Sequence, residues 1–108
     1  TKGYASFDYE AYGQNLSCNG VQIEFDAGYE SEKEVILIEA KTGEVGSEIT
    51  RQLFFPFKYV SNLTNKKIRT IFMVTSNDRR FVSLFEYTFK NPNHYESLDL
   101  VSSQKYKI

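Results

Sequence analysis

Cysteine, proline and glycine are all scarce in this chain of 108 residues. Cys18 is the only cysteine, so no internal disulfide can form, and this fits a reducing compartment such as the cytoplasm. Two prolines, six glycines and an apolar content of 41% are not the composition of a disordered segment. No apolar run approaches the length of a membrane span, and the first residues lack the form of a signal peptide. We therefore expect a globular cytoplasmic protein that has no membrane partner.

The length suits one domain, covering residues 1–108, with room for one hydrophobic core and not for two. Because the chain starts with Thr1 and not with methionine, we expect a processed chain or a piece excised from a longer protein.

Charge is unevenly distributed, although the net charge is only −1. Residues 1–54 carry four Lys/Arg and ten Asp/Glu, a balance of −6, and residues 55–108 carry nine and four, a balance of +5. Acids that collect a divalent metal, next to a basic surface that follows a phosphate backbone, would give such a division. Chance segregation of charge explains it equally well.

One short strand and a loop are predicted within residues 4–14, and two further strands are predicted before the middle of the chain. Val21, Ile23 and Phe25 alternate with polar residues, which predicts a half-buried strand that ends at residues 27–28. A charged turn follows. The aliphatic run at residues 35–40 then predicts a central strand buried on both faces.

A helix is predicted next, with Ser47 as its N-cap and Glu48 in its first turn. Its apolar stripe has helical spacing, and Pro56 is expected to kink the helix or divide it. Further strands are predicted at residues 68–75, 81–89 and 98–101. One helix between two apolar strands indicates an α/β layered domain with a mixed sheet.

Asp26 and Glu39 are candidate metal ligands. They stand thirteen positions apart, each on a predicted strand, so pairing of the strands would bring the two carboxylates to one end of the sheet. Together with the backbone carbonyl of Ala40 and water molecules, they would suit Mg²⁺, or Mn²⁺ in its place, because these ions prefer oxygen ligands. Glu24 shares a face with Asp26 and is a rival for the first ligand. Asp26 is favoured because it lies nearer the end of the strand.

Lys41 shares a strand face with Glu39, since alternate residues of a strand point to the same side. Charged side chains on so apolar a strand are costly unless they pair or hold a metal. Beside a metal that polarises a phosphoryl oxygen, Lys41 would stabilise negative charge or orient the attacking water. The alternative is that Glu39 and Lys41 form an exposed ion pair of little consequence.

These residues carry a resemblance to a known family. Asp26, a gap of twelve residues, and Glu39-Ala40-Lys41 at the end of an apolar strand resemble the PD-(D/E)XK nuclease signature, which many type II restriction endonucleases contain. Phe25 stands where the signature has its proline. The segment 51–57, Arg-Gln-Leu-Phe-Phe-Pro-Phe, is similar to the glutamine-bearing helix of part of that superfamily.

The resemblance implies a restriction-endonuclease-like core with Asp26 and Glu39 as metal ligands and Lys41 as the catalytic lysine. Gln52 would contact the metal-bound water or the substrate. Many members also carry an acid on a helix before the first core strand, but only Asp8 and Glu10 precede it here. We expect that helix to lie upstream of residue 1, or one of these two acids to replace it.

The implied function is a Mg²⁺-dependent restriction endonuclease that hydrolyses phosphodiesters of double-stranded DNA, as a homodimer or as the catalytic core of a longer chain. The runner-up is a nuclease fold that binds nucleic acid or protein without cleaving. A small β-rich Ca²⁺-binding domain is a third alternative, against which Lys41 counts because it would repel the ion. We expect His94 to be a loop residue and Cys18 to be structural. Candidates for phosphate contacts are Arg51, Lys58, Lys66, Lys67, Arg69, Arg79 and Arg80.

Overall fold

The computed structural model describes residues 2–108, with the side chain of Lys2 left out; Thr1 lies outside the described residues. Seven strands and one helix follow one another along the described residues, and no helix there has the length and apolar character needed to cross a membrane. The elements are β1 (Lys2–Ala11), β2 (Gln14–Glu24), β3 (Ala27–Glu30), β4 (Glu34–Thr42), α1 (Ile49–Ser61), β5 (Lys67–Thr75), β6 (Phe81–Phe89) and β7 (Leu98–Lys107).

The strands form a five-stranded sheet in the order β3-β4-β5-β6-β7 and a separate two-stranded sheet of β1 and β2. β4 and β5 are parallel and are joined through α1, whereas the other neighbours in the large sheet are antiparallel. A parallel pair needs such a crossover, because a tight turn can only join antiparallel strands. The predicted α/β class with a mixed sheet and one helix is confirmed.

The hairpin of β1 and β2 is larger than the sequence predicted. We expected one short strand and a loop at its start, but β1 is ten residues long and pairs antiparallel with β2. Tyr12 and Gly13 link the strands and both have positive φ, 52° and 81°. This is the twist that a two-residue connection needs to match the twist of the strands. Without an Asn-Gly or Asp-Gly pair, the turn gave no strong signal in the sequence.

The predicted strand end at residues 27–28 is wrong. β2 ends at Glu24, and the chain then forms β3, which pairs with β4 from Ala27 opposite Ile38 to Glu30 opposite Val35. Phe25 and Asp26 lie between the two strands and belong to neither. The side chain of Phe25 packs where Gly28 leaves room, since a Cβ at Gly28 would come within 2.8 Å of the Phe25 ring.

The helix begins one residue later than expected. Glu48, not Ser47, occupies the N-cap position, and its side chain makes no capping hydrogen bond. Pro56 does not divide the helix, which runs unbroken from Ile49 to Ser61. Because proline has no N–H, the helix gives up one hydrogen bond at the carbonyl of Gln52, and Pro56 itself is buried.

The core lies between α1 and one face of the large sheet. Leu53, Phe54 and Phe57 of the helix pack with Phe72 and Val74 of β5 and with Phe89. On β4 only Leu37 is buried, and its neighbours are half-buried or exposed, so the prediction of a strand buried on both faces is wrong. The predicted strand at residues 98–101 exists and extends to Lys107 as an edge of the sheet.

Candidate functional site

Asp26 lies at the sheet edge where β3 begins. One of its carboxylate oxygens, Oδ2, accepts a hydrogen bond of 2.7 Å from the backbone N–H of Ala40. The register of β3 on β4 starts with Ala27 opposite Ile38, so β3 offers no main-chain acceptor to Ala40. The Asp26 side chain takes that place, which fixes its carboxylate at this point of the edge.

Glu39 is brought to Asp26, as the sequence predicted. In the register Glu39 lies opposite Phe72, which is fully buried under the helix, so Glu39 projects into the half-buried rim on the helix side. Burial, followed by the charge of Asp26, a hydrogen bond to Asp26 and the charge of Glu24, raises the pKa of Glu39 from 4.5 to about 7. The raised pKa favours the protonated form of Glu39 below about pH 7, and in that form Glu39 can donate a hydrogen bond to Asp26.

The pair fits a small divalent cation. A cation would relieve the repulsion that raises the pKa of Glu39, since an opposite charge favours the ionised form. The N–H and C=O of a strand residue point to the same neighbour, so the carbonyl of Ala40 also lies on the Asp26 side. Within residues 2–108 no three Asp, Glu, His or Cys side chains form a metal-binding group. A metal here would thus have two side-chain ligands, this carbonyl and water, a set that suits Mg²⁺ better than the six to eight ligands of Ca²⁺.

Lys41 does not lie against the acid pair. It forms an ion pair with Glu48 at the start of the helix, so the alternative of a Glu39–Lys41 pair is wrong as well. This contact comes first among the causes that lower the pKa of Glu48 to about 2. The N–H of Gly46 donates a second hydrogen bond of 3.2 Å to the same carboxylate oxygen. Glu48 thus holds Lys41 at the start of α1 and away from Asp26. Lys41 still lies on the same face of β4 as Glu39.

Gln52 lies with Glu39 in an open cleft of about 950 Å³ between β2 and the first turns of α1. The acidic residues of the cleft are Glu24, Glu39 and Glu48, and Arg51 is the only basic residue among those that line it. Polar groups of β2 and the rings of Tyr9, Phe55 and Tyr95 form the remaining wall. Gln52 and Glu39 thus line the same cleft, and the contact of Gln52 with a metal-bound water or the substrate stays a prediction.

None of the other acids considered for this site takes the place of Asp26. Glu24 is near enough to raise the pKa of Glu39, but its charge is the smallest of the causes, and Asp26 makes the closer contact. Asp8 accepts a hydrogen bond of 2.6 Å from the Ser17 hydroxyl, and Glu10 pairs with His94 at 3.0 Å. Neither Asp8 nor Glu10 replaces the expected helical acid at the pair. His94 lies in the connection between β6 and β7, as predicted.

Three of the basic residues proposed for phosphate contacts are engaged within the fold. Lys58 is buried and binds the side chain of Asn93, so the expectation of a phosphate contact is wrong for it. Lys66 pairs with Glu30. Arg69 donates two hydrogen bonds, of 3.1 and 2.6 Å, to the carboxylate of Glu86.

Glu48 is the functional candidate that the sequence did not identify as a partner of Lys41. It was predicted only as a favourable charge near the helix N-terminus. Seven positions separate it from Lys41, and nothing in that spacing indicates contact, because it depends on the path of the connection between β4 and α1.

The chain belongs to a family described as a domain of unknown function, DUF6997, whose family model matches residues 1–107. Neither the curated proteins nor the solved structures gave a match.

Proposed function

We propose that this protein is a Mg²⁺-dependent DNA endonuclease with a restriction-endonuclease-like core. The observation that carries the proposal is the convergence of Asp26, Glu39 and the main chain of Ala40 at one point of the sheet edge. A purely structural acid pair would not need to adjoin a cleft or have a lysine on the same strand face.

The chain's own groups divide the work. Asp26, Glu39 and the Ala40 carbonyl would hold the cation, which would polarise a phosphoryl oxygen and lower the pKa of a bound water. Lys41 stabilises the negative charge that develops on the phosphate, for which it turns from Glu48 toward the acid pair. Gln52 orients the attacking water or the substrate from the helix side of the cleft.

The direct test is cleavage of supercoiled plasmid DNA with Mg²⁺ or Mn²⁺ by the parent and by Glu39→Ala and Lys41→Ala. We expect nicking and linearisation by the parent and a loss of at least a hundredfold in each variant. Glu44→Ala is the matched control, because Glu44 is an exposed acid in the connection between β4 and α1. Cleavage that survives both substitutions would remove the assigned site.

A second candidate function is a nuclease-like fold that binds nucleic acid or protein without cleaving it. The observation that favours it is the position of Lys41, which is paired with Glu48 and not with the acid pair. DNA binding that is unaffected by Mg²⁺, together with absence of cleavage by the parent, would favour this second function.

A further inference from the structure

Four basic side chains lie at the same end of the sheet as the acid pair. Arg79 and Arg80 are in the turn between β5 and β6, and Lys105 and Lys107 are at the end of β7. We name Arg79, Arg80, Lys105 and Lys107 the basic end patch. All four residues are exposed.

Topology places this patch beside the site. β4 and β5 are parallel, so Lys41, near the end of β4, and Thr75, the last residue of β5, lie at the same end of the sheet. β6 starts there and β7 returns there, because each is antiparallel to its neighbour. The backbone confirms the closeness of the connections, since the N–H of Gly43 donates to the carbonyl of Thr75 at 2.9 Å and that of Ile108 to the carbonyl of Arg80 at 2.7 Å.

The register aligns the patch with the proposed catalytic lysine. Lys41 lies opposite Val74, Val74 opposite Ser83, and Ser83 opposite Lys105. Directly opposed residues share a face, so Lys41 and Lys105 occupy one row on one face of the sheet. Three strand spacings separate them, about 14 Å, which is the axial rise of about four base pairs.

Hydrogen bonds define the turn that carries the arginines. The Ser76 hydroxyl donates to Asp78 at 2.7 Å, and the same Asp78 oxygen accepts the Arg80 N–H at 3.0 Å. The N–H of Arg79 donates to the Ser76 carbonyl at 2.9 Å, which holds Arg79 at a φ of +60°. A bulky residue in this left-handed region costs free energy, so the turn fixes an unfavourable conformation that directs an arginine outward.

Few acidic groups of the protein offset the positive charge of the basic end patch. Among residues 2–108, no carboxylate forms an ion pair with any of its four side chains, whereas Lys41, Lys66 and Arg69 are all paired. Asp78 interacts with the charge of Lys105, but this is the smallest of the causes that lower the pKa of Asp78, and the hydrogen bond with Ser76 is the largest. Lys105 lies 4.4 Å from the centre of the Phe81 ring, a cation–π contact that leaves its charge available.

We propose that the basic end patch binds the phosphate backbone of duplex DNA on one side of the scissile phosphodiester. This rests on the proposed nuclease function for the meaning of the acid pair, but the binding itself does not require cleavage. The acid-lined cleft holds one basic residue, Arg51, and the patch supplies four more cations within reach of the site along one DNA strand. Contacts of this kind position a duplex without reading its sequence.

The test is the salt dependence of DNA binding in metal-free buffer, where no cleavage interferes. Fluorescence anisotropy with two unrelated 20-base-pair duplexes is measured between 50 and 200 mM NaCl. For Lys105→Gln/Lys107→Gln we expect weaker binding to both duplexes and a slope of log affinity against log salt that is shallower by about 2. Arg79→Gln/Arg80→Gln gives an independent second variant with the same expectation.

The matched control is Lys33→Gln/Lys90→Gln, which removes the same charge from exposed residues at the opposite end of the sheet, before β4 and after β6. We expect this variant to keep the parent's slope. An equal loss in the control, unchanged slopes in both patch variants, or absence of duplex binding by the parent would overturn the proposal. Preference for an RNA duplex would overturn DNA as the partner.

Cleavage separates this inference from the proposed function. A parent that binds DNA through the patch but never cleaves it removes the nuclease proposal and leaves the binding surface. A parent that cleaves while both patch variants bind and cleave like it removes the binding surface alone.

Discussion

Replacing Glu39 with glutamine should remove a pH dependence of folding stability. The pKa of Glu39 is raised from 4.5 to about 7 in the folded protein, chiefly by burial and then by Asp26. The folded state therefore holds this proton more tightly than the unfolded state does. The contribution of Glu39 to the free energy of unfolding is therefore highest below pH 4.5, falls as the pH rises through about 7, and is lost above that.

The size of the effect can be bounded. A tenfold difference in proton affinity is worth about 1.4 kcal/mol, so the raised pKa corresponds to at most about 3.4 kcal/mol. Glu39 is only half-buried, and solvent screening reduces this to roughly 1–2 kcal/mol. Glutamine has no charge to lose and can still donate a hydrogen bond to Asp26. We expect Glu39→Gln to match the parent near pH 4.5 and to be more stable by this amount at pH 8.

Urea unfolding at pH 4.5, 6, 7 and 8 measures the free energy of unfolding of the parent and of the variant. The titration of all other groups cancels in the difference between the two. Glu44→Gln, in the exposed connection after β4, should show no such trend. A stability difference for Glu39→Gln that is the same at every pH would refute the assigned proton and the pairing with Asp26.

Three further expectations concern the metal, the lysine and the hairpin. Mg²⁺ at a hundred times its dissociation constant should add about 2.7 kcal/mol to the parent's stability at pH 8, and nothing to the stability of Glu39→Gln. The gain should be smaller at pH 5.5, because Glu39 must give up a proton to bind the ion. Differential scanning fluorimetry measures both, and equal shifts at the two pH values would contradict the site. Glu48→Gln should raise kcat by roughly three- to tenfold, because Lys41 no longer has to leave an ion pair to reach the acid pair, and should have no effect in a Lys41→Ala background; a loss of activity, or the same change in both backgrounds, would argue against that. Gly13→Ala should cost about 1 kcal/mol, or roughly 4 °C in Tm, because an alanine at a φ of +81° is strained even where nothing touches its Cβ.

The parts of the fold that were predictable are those with a dense local signal. The aliphatic run of β4 and the apolar periodicity of α1, β5 and β6 each decide one element. β3 was missed because its four residues, Ala27–Glu30, have no apolar alternation, and the strand exists only through its pairing with β4. β1 was underestimated for a similar reason, since the positive φ of Tyr12 is imposed by the hairpin and is not a preference of tyrosine.

The site shows the same division between local and long-range information. The convergence of Asp26 and Glu39 was predictable because adjacent strands set it, even though the strand that carries Asp26 to β4 was wrongly placed. The contact between Lys41 and Glu48 was not predictable, because alternation along a strand gives a side chain's face but not its partner. A charged side chain on a half-buried rim pairs with whichever opposite charge the next connection brings near.

The charge division of the sequence acquires a physical meaning from the topology. The acidic half supplies Asp26 and Glu39, and the basic half supplies the basic end patch more than thirty residues later. A parallel crossover from β4 to β5 brings the second half back to the edge where the first half ended, and two antiparallel returns keep it there. Two regions that are well separated in sequence thus lie at the same end of the sheet, where Lys41 and Lys105 stand three strand spacings, about 14 Å, apart. If the charges were segregated by chance, the acid pair and the basic end patch would not need to lie at the same end of the sheet. Because they do, the two are best tested on one DNA substrate.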